Sequence, residues 1–189
     1  MQFSNDIVRC LVTLKQGGLI LYPTDTIWGI GCDATNEASV KKIYTLKKRS
    51  NAKSMIMLLA EEKELLSYVM EPDLQIFDYI KGVHKPTTVI YENPRGVAPN
   101  LSSEDGTIAI RIVNDPFCKQ LIQEFKKPIV STSANISGYP PPAFFSDIDT
   151  VIKNGVDYIV QHRQDDLNIA APSSIIRWNK DGIPTIIRK

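Results

Sequence analysis

The strongest constraint on this chain is a succession of short apolar runs, several of them closed by a polar turn. Residues 19–22 end at Pro23 and give way to Thr24-Asp25-Thr26. Runs at 27–31, 55–59, 88–91, 108–112, 129–131, 158–160, 174–178 and 185–187 have the same brevity. Apolar runs of this length bounded by Pro, Gly and hydroxyl residues read as strands. Between them lie helical patterns. Asn5 or Asp6 is placed to cap a first helix that turns Ile7, Val8, Leu11 and Leu14 inward and stops at Gly17-Gly18. Asn36 is placed to cap a helix over 37–48, and further pieces fall near 61–68, 73–80 and 146–153. Asp115-Pro116 opens another that reaches Phe125, with Pro in the first turn. Strands interleaved with helices predict an α/β fold, α+β-like in character. Its core would be one twisted sheet, mixed parallel and antiparallel, flanked by helices. A length of 189 residues suits one domain over 1–189, and no repeat or low-complexity linker divides it.

Composition narrows the function more than the fold. A formal net charge of +1 gives the molecule no strong field, so any anion site must come from local clustering. Cys10, Cys32 and Cys118 are far apart and form no CxxC pair, which indicates neither zinc nor a redox motif and fits a reducing compartment. Two histidines, His84 and His162, nearly exclude a multi-histidine metal site. No apolar run approaches the roughly 20 residues of a membrane span, and residues 1–18 lack a signal-like apolar core, so the reading is cytoplasmic with no membrane partner. Neither GxxxxGK[ST] nor a complete GxGxxG is present.

Three polar segments abut predicted strands: Thr24-Asp25-Thr26, Ser131 to Asn135, and Ser173-Ser174. Open α/β sheets place ligands at strand ends, and hydroxyls with exposed N–H groups there suit phosphate oxygens. Such residues also satisfy their own turns. The basic segment at 46–53 is sharper. On the 37–48 helix Val40, Ile43 and Tyr44 form the inward stripe, and Lys47 continues it at i+3/i+4 spacing. Such a lysine either snorkels out or meets an anion. Lys48 faces outward. Arg49 and Lys53 sit where the helix should be ending, where cations are mildly favourable in any case.

In order and content these segments resemble the YrdC family. The stretch 18–33 (GLILYPTDTIWGIGCD) looks like its opening strand–turn–strand, and Lys47, Arg49 and Lys53 look like its KxR…K signature. The run at 105–111 (DGTIAIR) is similar to its DGTxxxR strand, 131–138 (STSANISG) to its STSAN…SG segment, and 172–176 (PSSII) to its late PST strand. The likeness spans roughly residues 6 to 187. There are departures. Lys85 stands where the family has glycine, and Ser50, Ser174, Ala109 and Asn114 replace frequent proline, threonine, glycine and proline. Trp28 replaces the usual tyrosine but keeps an aromatic wall.

The resemblance implies a YrdC-like fold with a positively lined concave face, in the short form without the extra domain of longer members. It implies ATP, L-threonine and bicarbonate as substrates, with threonylcarbamoyl-AMP and pyrophosphate as products, and Mg²⁺ carried by the nucleotide rather than by protein ligands. Lys47 and Arg49 would be catalytic. By motif position Lys47, Arg49, Lys53, Ser131, Ser133 and Asn135 would contact ATP. Thr26, Arg49, Arg111 and Ser173 would hold threonine or its carbamate. A downstream transferase complex would move the product to tRNA, and direct tRNA contact is conceivable. Two alternatives stand beside this reading: an RNA-binding module tracking a backbone with residues 41–53, and a relative acting on another carboxylate or carbamate.

Overall fold

The computed structural model describes residues 3–49, 55–179 and 182–189. The predicted strands form one nine-stranded sheet. They are β1 (Ile20–Tyr22), β2 (Gly29–Gly31), β3 (Ile56–Leu59), β4 (Thr87–Glu92), β5 (Thr107–Ile112), β6 (Ile129–Ser133), β7 (Tyr158–Ile159), β8 (Ser174–Trp178) and β9 (Pro184–Arg188). Their order is β7-β1-β2-β6-β3-β5-β4-β8-β9. The pairs β1/β7, β3/β5 and β4/β8 are parallel and the other neighbours antiparallel, so the sheet is mixed as expected.

The helices are α1 (Ser4–Lys15), α2 (Glu37–Leu46), α3 (Leu65–Tyr68), α4 (Gln75–Lys81), α5 (Pro116–Phe125) and α6 (Thr150–Asn154). Asn36 caps α2 by accepting from Ser39 N at 3.1 Å, and Asp115 caps α5 through Cys118 N at 2.8 Å. The start of α1 differs from expectation. Its cap position is Phe3, and Asp6 is buried instead, accepting from Tyr158 Oη at 2.6 Å and from the amides of Gln161 and His162 at 3.0 Å. A carboxylate with three long-range donors fixes the helix to the segment after β7 more firmly than a cap would. Val8, expected inward, is 57% exposed, because α1 packs along the narrower line of Ile7, Cys10 and Leu14. The single helix predicted at 146–153 is a 3₁₀ turn, Phe145–Asp147, followed by α6.

Strand alternation divides the core into two layers. On one face Leu21, Ile30, Met57, Val89, Ile110, Val130 and Ile176 pack with Val40, Ile43 and Tyr44 of α2 and with Ile76 and Phe77 of α4. On the other, Ile20, Tyr22, Leu58 and Ile129 pack against α1 and α5 through Ile7, Leu14, Phe117, Leu121 and Phe125. That second layer covers only part of its face. The register that points Leu58 and Ile129 into it also aims Arg111, paired with Leu58, and Ser131, two residues from Ile129, to the same side. Thr88 and Ile175 are paired across β4/β8, and Arg188 is paired with Ile175. This uncovered portion is where polar side chains collect.

Candidate active site

A hollow of about 180 Å³ opens on the uncovered portion. Its polar lining comprises Thr26, Ser131, Thr132, Ser133, Ser173 and three arginines, Arg49, Arg111 and Arg188, with Trp28 as an aromatic wall. No acidic side chain is among the described lining residues. Of the residues singled out in the sequence, Thr26, Arg49, Arg111, Ser131, Ser133 and Ser173 therefore meet around one space. Lys53 lies outside the described residues, as does Ser50.

Several lining groups are held from behind. Trp28 is 8% exposed and packs at a tilt against Phe145, with ring centroids 4.8 Å apart and ring planes at 48°. Arg111 is buried, with NH2 3.0 Å from Asp25 Oδ1, and its Nε has no hydrogen-bond partner among the described residues. Ser173 Oγ lies 2.8 Å from Thr88 Oγ1, while Arg188 donates to the Ser173 carbonyl from Nε at 3.1 Å and NH2 at 2.9 Å. Burial pulls Arg49 below the ordinary arginine range. Burial, and then the charge of Arg111, does the same for Arg188. Grouping like charges where water is scarce is unfavourable until an anion arrives.

The Thr24–Thr26 turn has a readable proton order. Thr24 Oγ1 donates to Ile27 O at 2.9 Å, which uses its only proton, and it accepts from Thr26 N at 3.0 Å. The 2.9 Å contact between the two hydroxyls must then carry the Thr26 proton toward Thr24. Thr26 is left facing the hollow with acceptor lone pairs.

Lys47 is only 1% exposed, inward as its helical phase predicts, but it is not among the residues that line the hollow. It stands one residue past α2, and its ammonium donates to the carbonyls of Ser133 and, at 2.6 Å, Asn135. Its own carbonyl accepts from Ser137 N at 2.9 Å. Lys47 thus holds the 133–137 segment from both ends. Burial first, and Arg49 second, lower Lys47 to about 7. Asn135 likewise holds its loop, donating to the carbonyls of Ile136 at 2.9 Å and Tyr139 at 2.7 Å, while its Oδ1 is buried with no hydrogen-bond partner among the described residues.

Sequence reasoning missed Arg188. The strand predicted at 185–187 stops one residue short of it, and only the β8/β9 register beside Ile175 brings its side chain, still exposed, to the edge of the hollow. The described residues contain no group of three or more His, Cys, Asp or Glu able to hold a metal ion.

A mixed sheet with an arginine- and hydroxyl-lined hollow on its open portion defines an α/β protein with a site chemically suited to anions. Comparison with known proteins specifies it further. The family model Sua5_yciO_yrdC, described as telomere recombination, matches residues 12–189. A Coxiella burnetii protein named threonylcarbamoyl-AMP synthase is 33% identical over 186 residues, covering 93% of this chain and 97% of the relative. Among solved structures, P. abyssi Sua5 complexed with L-threonine superposes with a TM-score of 0.84 at 23% identity, over 96% of this chain and 53% of that one. The chain therefore spans about half the length of that protein. E. coli YciO superposes at 0.83 with 20% identity, over 98% and 89%. The chain belongs to the Sua5/YciO/YrdC family and is an enzyme of the nucleotidyltransferase type.

Proposed function

We propose that this enzyme condenses L-threonine, bicarbonate-derived CO₂ and ATP into threonylcarbamoyl-AMP and pyrophosphate. The observation that carries the reading is the hollow itself, with three arginines, five Ser or Thr hydroxyl groups drawn from β6, the 24–26 turn and the residue before β8, and no acidic side chain among the described lining residues. The threonine amine adds to CO₂ with loss of a proton, giving a carbamate. A carbamate oxygen then attacks the α-phosphate, and pyrophosphate leaves. Both reactants are anionic, so rate comes from positioning and from fixed positive charge.

Arg111 and Arg49 suit a planar carboxylate or carbamate, since a guanidinium presents parallel donors. Thr26, an acceptor by its proton order, suits the amino or hydroxyl group of threonine, with Ser173 opposite. Ser131 and Ser133 suit phosphate oxygens, and Lys47 keeps the 133–135 backbone in place for them. The hollow is below the usual range of roughly 300–1,000 Å³ for ligand pockets, so it matches the reacting ends rather than a whole nucleotide. An adjoining groove of about 460 Å³ shares Arg49 and carries Lys41, Tyr44 and Lys48. Mg²⁺ would arrive on the ATP phosphates and neutralise the leaving pyrophosphate.

Residues 1–189 would act as one domain, since the described residues share one sheet. The enzyme would work in the cytoplasm, upstream of a transferase that delivers the threonylcarbamoyl group to tRNA. No helix among the described residues is long and apolar enough to cross a membrane. The test is pyrophosphate release measured with each substrate omitted in turn, with product mass determined. Joint dependence on threonine, bicarbonate and ATP is expected. Release that proceeds equally without threonine refutes the substrate assignment, and phosphate as the only inorganic product refutes attack at the α-phosphate.

A further inference from the structure

Arg163 occupies a backbone region that side-chain-bearing residues seldom adopt. Its φ is +64°, in the left-handed region, within the irregular segment between β7 and β8. A strained non-glycine residue persists when its surroundings over-determine it. What holds Arg163 is its guanidinium. NH2 lies 3.0 Å from Asp115 Oδ2 and donates to the Thr24 carbonyl at 3.1 Å. Asp115 is 6% exposed and spends its other oxygen on the N-terminus of α5. Arg163 therefore bridges a rigid helix end to the first residue of the turn whose hydroxyls order Thr26. A second cavity of about 200 Å³, lined by Thr24, Thr26, Trp28 and Arg163, lies behind that turn and shares Thr26 and Trp28 with the hollow. The turn thus has open space on both sides and needs an anchor.

We propose that Arg163 is a positioning residue for the amino-acid substrate. Tied to Asp115, it fixes the Thr24 carbonyl, and so holds the Thr24–Thr26 hydroxyl pair with the Thr26 lone pairs aimed into the hollow. It touches no reacting atom. The role rests on the proposed threonine site, and its signature is selective: the amino-acid side of the reaction depends on Arg163 and the nucleotide side does not.

Arg163→Gly removes the guanidinium and also relieves the left-handed backbone, so it separates positioning from folding. Its melting temperature should stay close to the parent's. Its KM for threonine should rise at least tenfold, with kcat and the KM for ATP within threefold. Arg163→Lys keeps one donor and should fall between Gly and the parent. Independently of turnover, hydrogen exchange at the Thr26 amide, followed by NMR, should be at least tenfold faster in Arg163→Gly. The Cys118 amide should keep its protection. Threonine and ATP constants that shift together, or neither shifting, overturn the proposal, as does unchanged exchange at Thr26. If the parent does not use threonine, the function reading fails, and the exchange measurement alone decides whether the clamp exists.

Discussion

Lys47 and Lys48 are adjacent, equal in charge and both at the end of α2, so alanine at either would act alike if general basicity were what mattered. The structure separates them. Lys47 is buried with its ammonium on two carbonyls, whereas Lys48 is exposed in a left-handed conformation at φ +49°. Lys47→Ala leaves the carbonyls of Ser133 and Asn135 without that donor, at about 1–3 kcal/mol each if they stay dry. It also forfeits the burial of a four-carbon stem, about 0.8 kcal/mol per methylene. Relief from burying an ammonium, on the order of several kcal/mol, offsets part of this. A net loss of about 2–4 kcal/mol follows, a substantial share of ordinary domain stability. Turnover should fall roughly 10²–10³-fold, the scale of one preorganised electrostatic contact, because Ser133 loses its backing. Lys48→Ala should stay within a few-fold of the parent, and Lys48→Gly should be as stable or more so, since glycine adopts positive φ without strain. Urea melts and pyrophosphate release under saturating substrates measure both properties. Equal losses at the two positions, or a Lys47→Ala protein as stable and active as the parent, would refute the argument.

Arg188→Ala removes two charge-assisted bonds to the Ser173 carbonyl and one of three cations of the hollow. Threonine affinity measured by calorimetry should drop about ten- to a hundredfold, from roughly 1.5–3 kcal/mol for a charged hydrogen bond. Ser133→Ala and Asn135→Ala should weaken ATP more than threonine in the same titrations, and the reverse order would mean the two ends of the site are exchanged. A Cβ at Gly31 would lie 2.6 Å from the Tyr22 ring and 2.8 Å from the Val130 carbonyl, so Gly31→Ala should cost about 1–3 kcal/mol in a denaturant melt. Lys47 has its folded-state pKa lowered to about 7 from 10.5, so between those values the unfolded chain binds the extra proton and stability should rise with pH; the rise should be missing from Lys47→Met when the two pH profiles are compared.

What could be read from the sequence was what local periodicity controls. The phase Val40, Ile43, Tyr44 turned Lys47 inward before any tertiary contact was known, and Asn36 and Asp115 announced their helices. Residues whose roles depend on partners far along the chain were not legible. Asp6 resembles a helix cap until Tyr158, 152 residues away, supplies its donor. Arg188 resembles a surface arginine until β9 pairs with β8. Arg163 resembles a solvated loop residue, because nothing local indicates either its left-handed backbone or its reach to Thr24 and Asp115. Lys47 shows the other limit: its direction was legible but its partners, two backbone carbonyls, were not. Ser131 was expected at the end of a strand and Ser133 in the turn after it. The strand runs on to Ser133, and this is what places both serines on one face.

The same half-covered face explains why the site could form where it did. Had α1 and α5 extended across β5, β4 and β8, the outward positions there would have been apolar, as Leu58 and Ile129 are. Without helices above them, Arg111, Thr88 and Ser173 are buried polar groups beside a hollow that Arg188 borders from the exposed edge, and they stand on or next to strands whose opposite face packs against α2 and α4. A preorganised cationic site needs both conditions. Loops alone would let the arginines move apart and relax their repulsion, whereas strand pairing holds Arg111 on β5 and Arg188 on β9. The repulsion they retain is released only when an anion binds, so the arrangement favours the state with most negative charge between them. In the proposed attack of carbamate on ATP that would be the point at which carbamate and phosphate meet. The stability given up in the empty protein therefore becomes a preference for the transition state over either substrate bound alone.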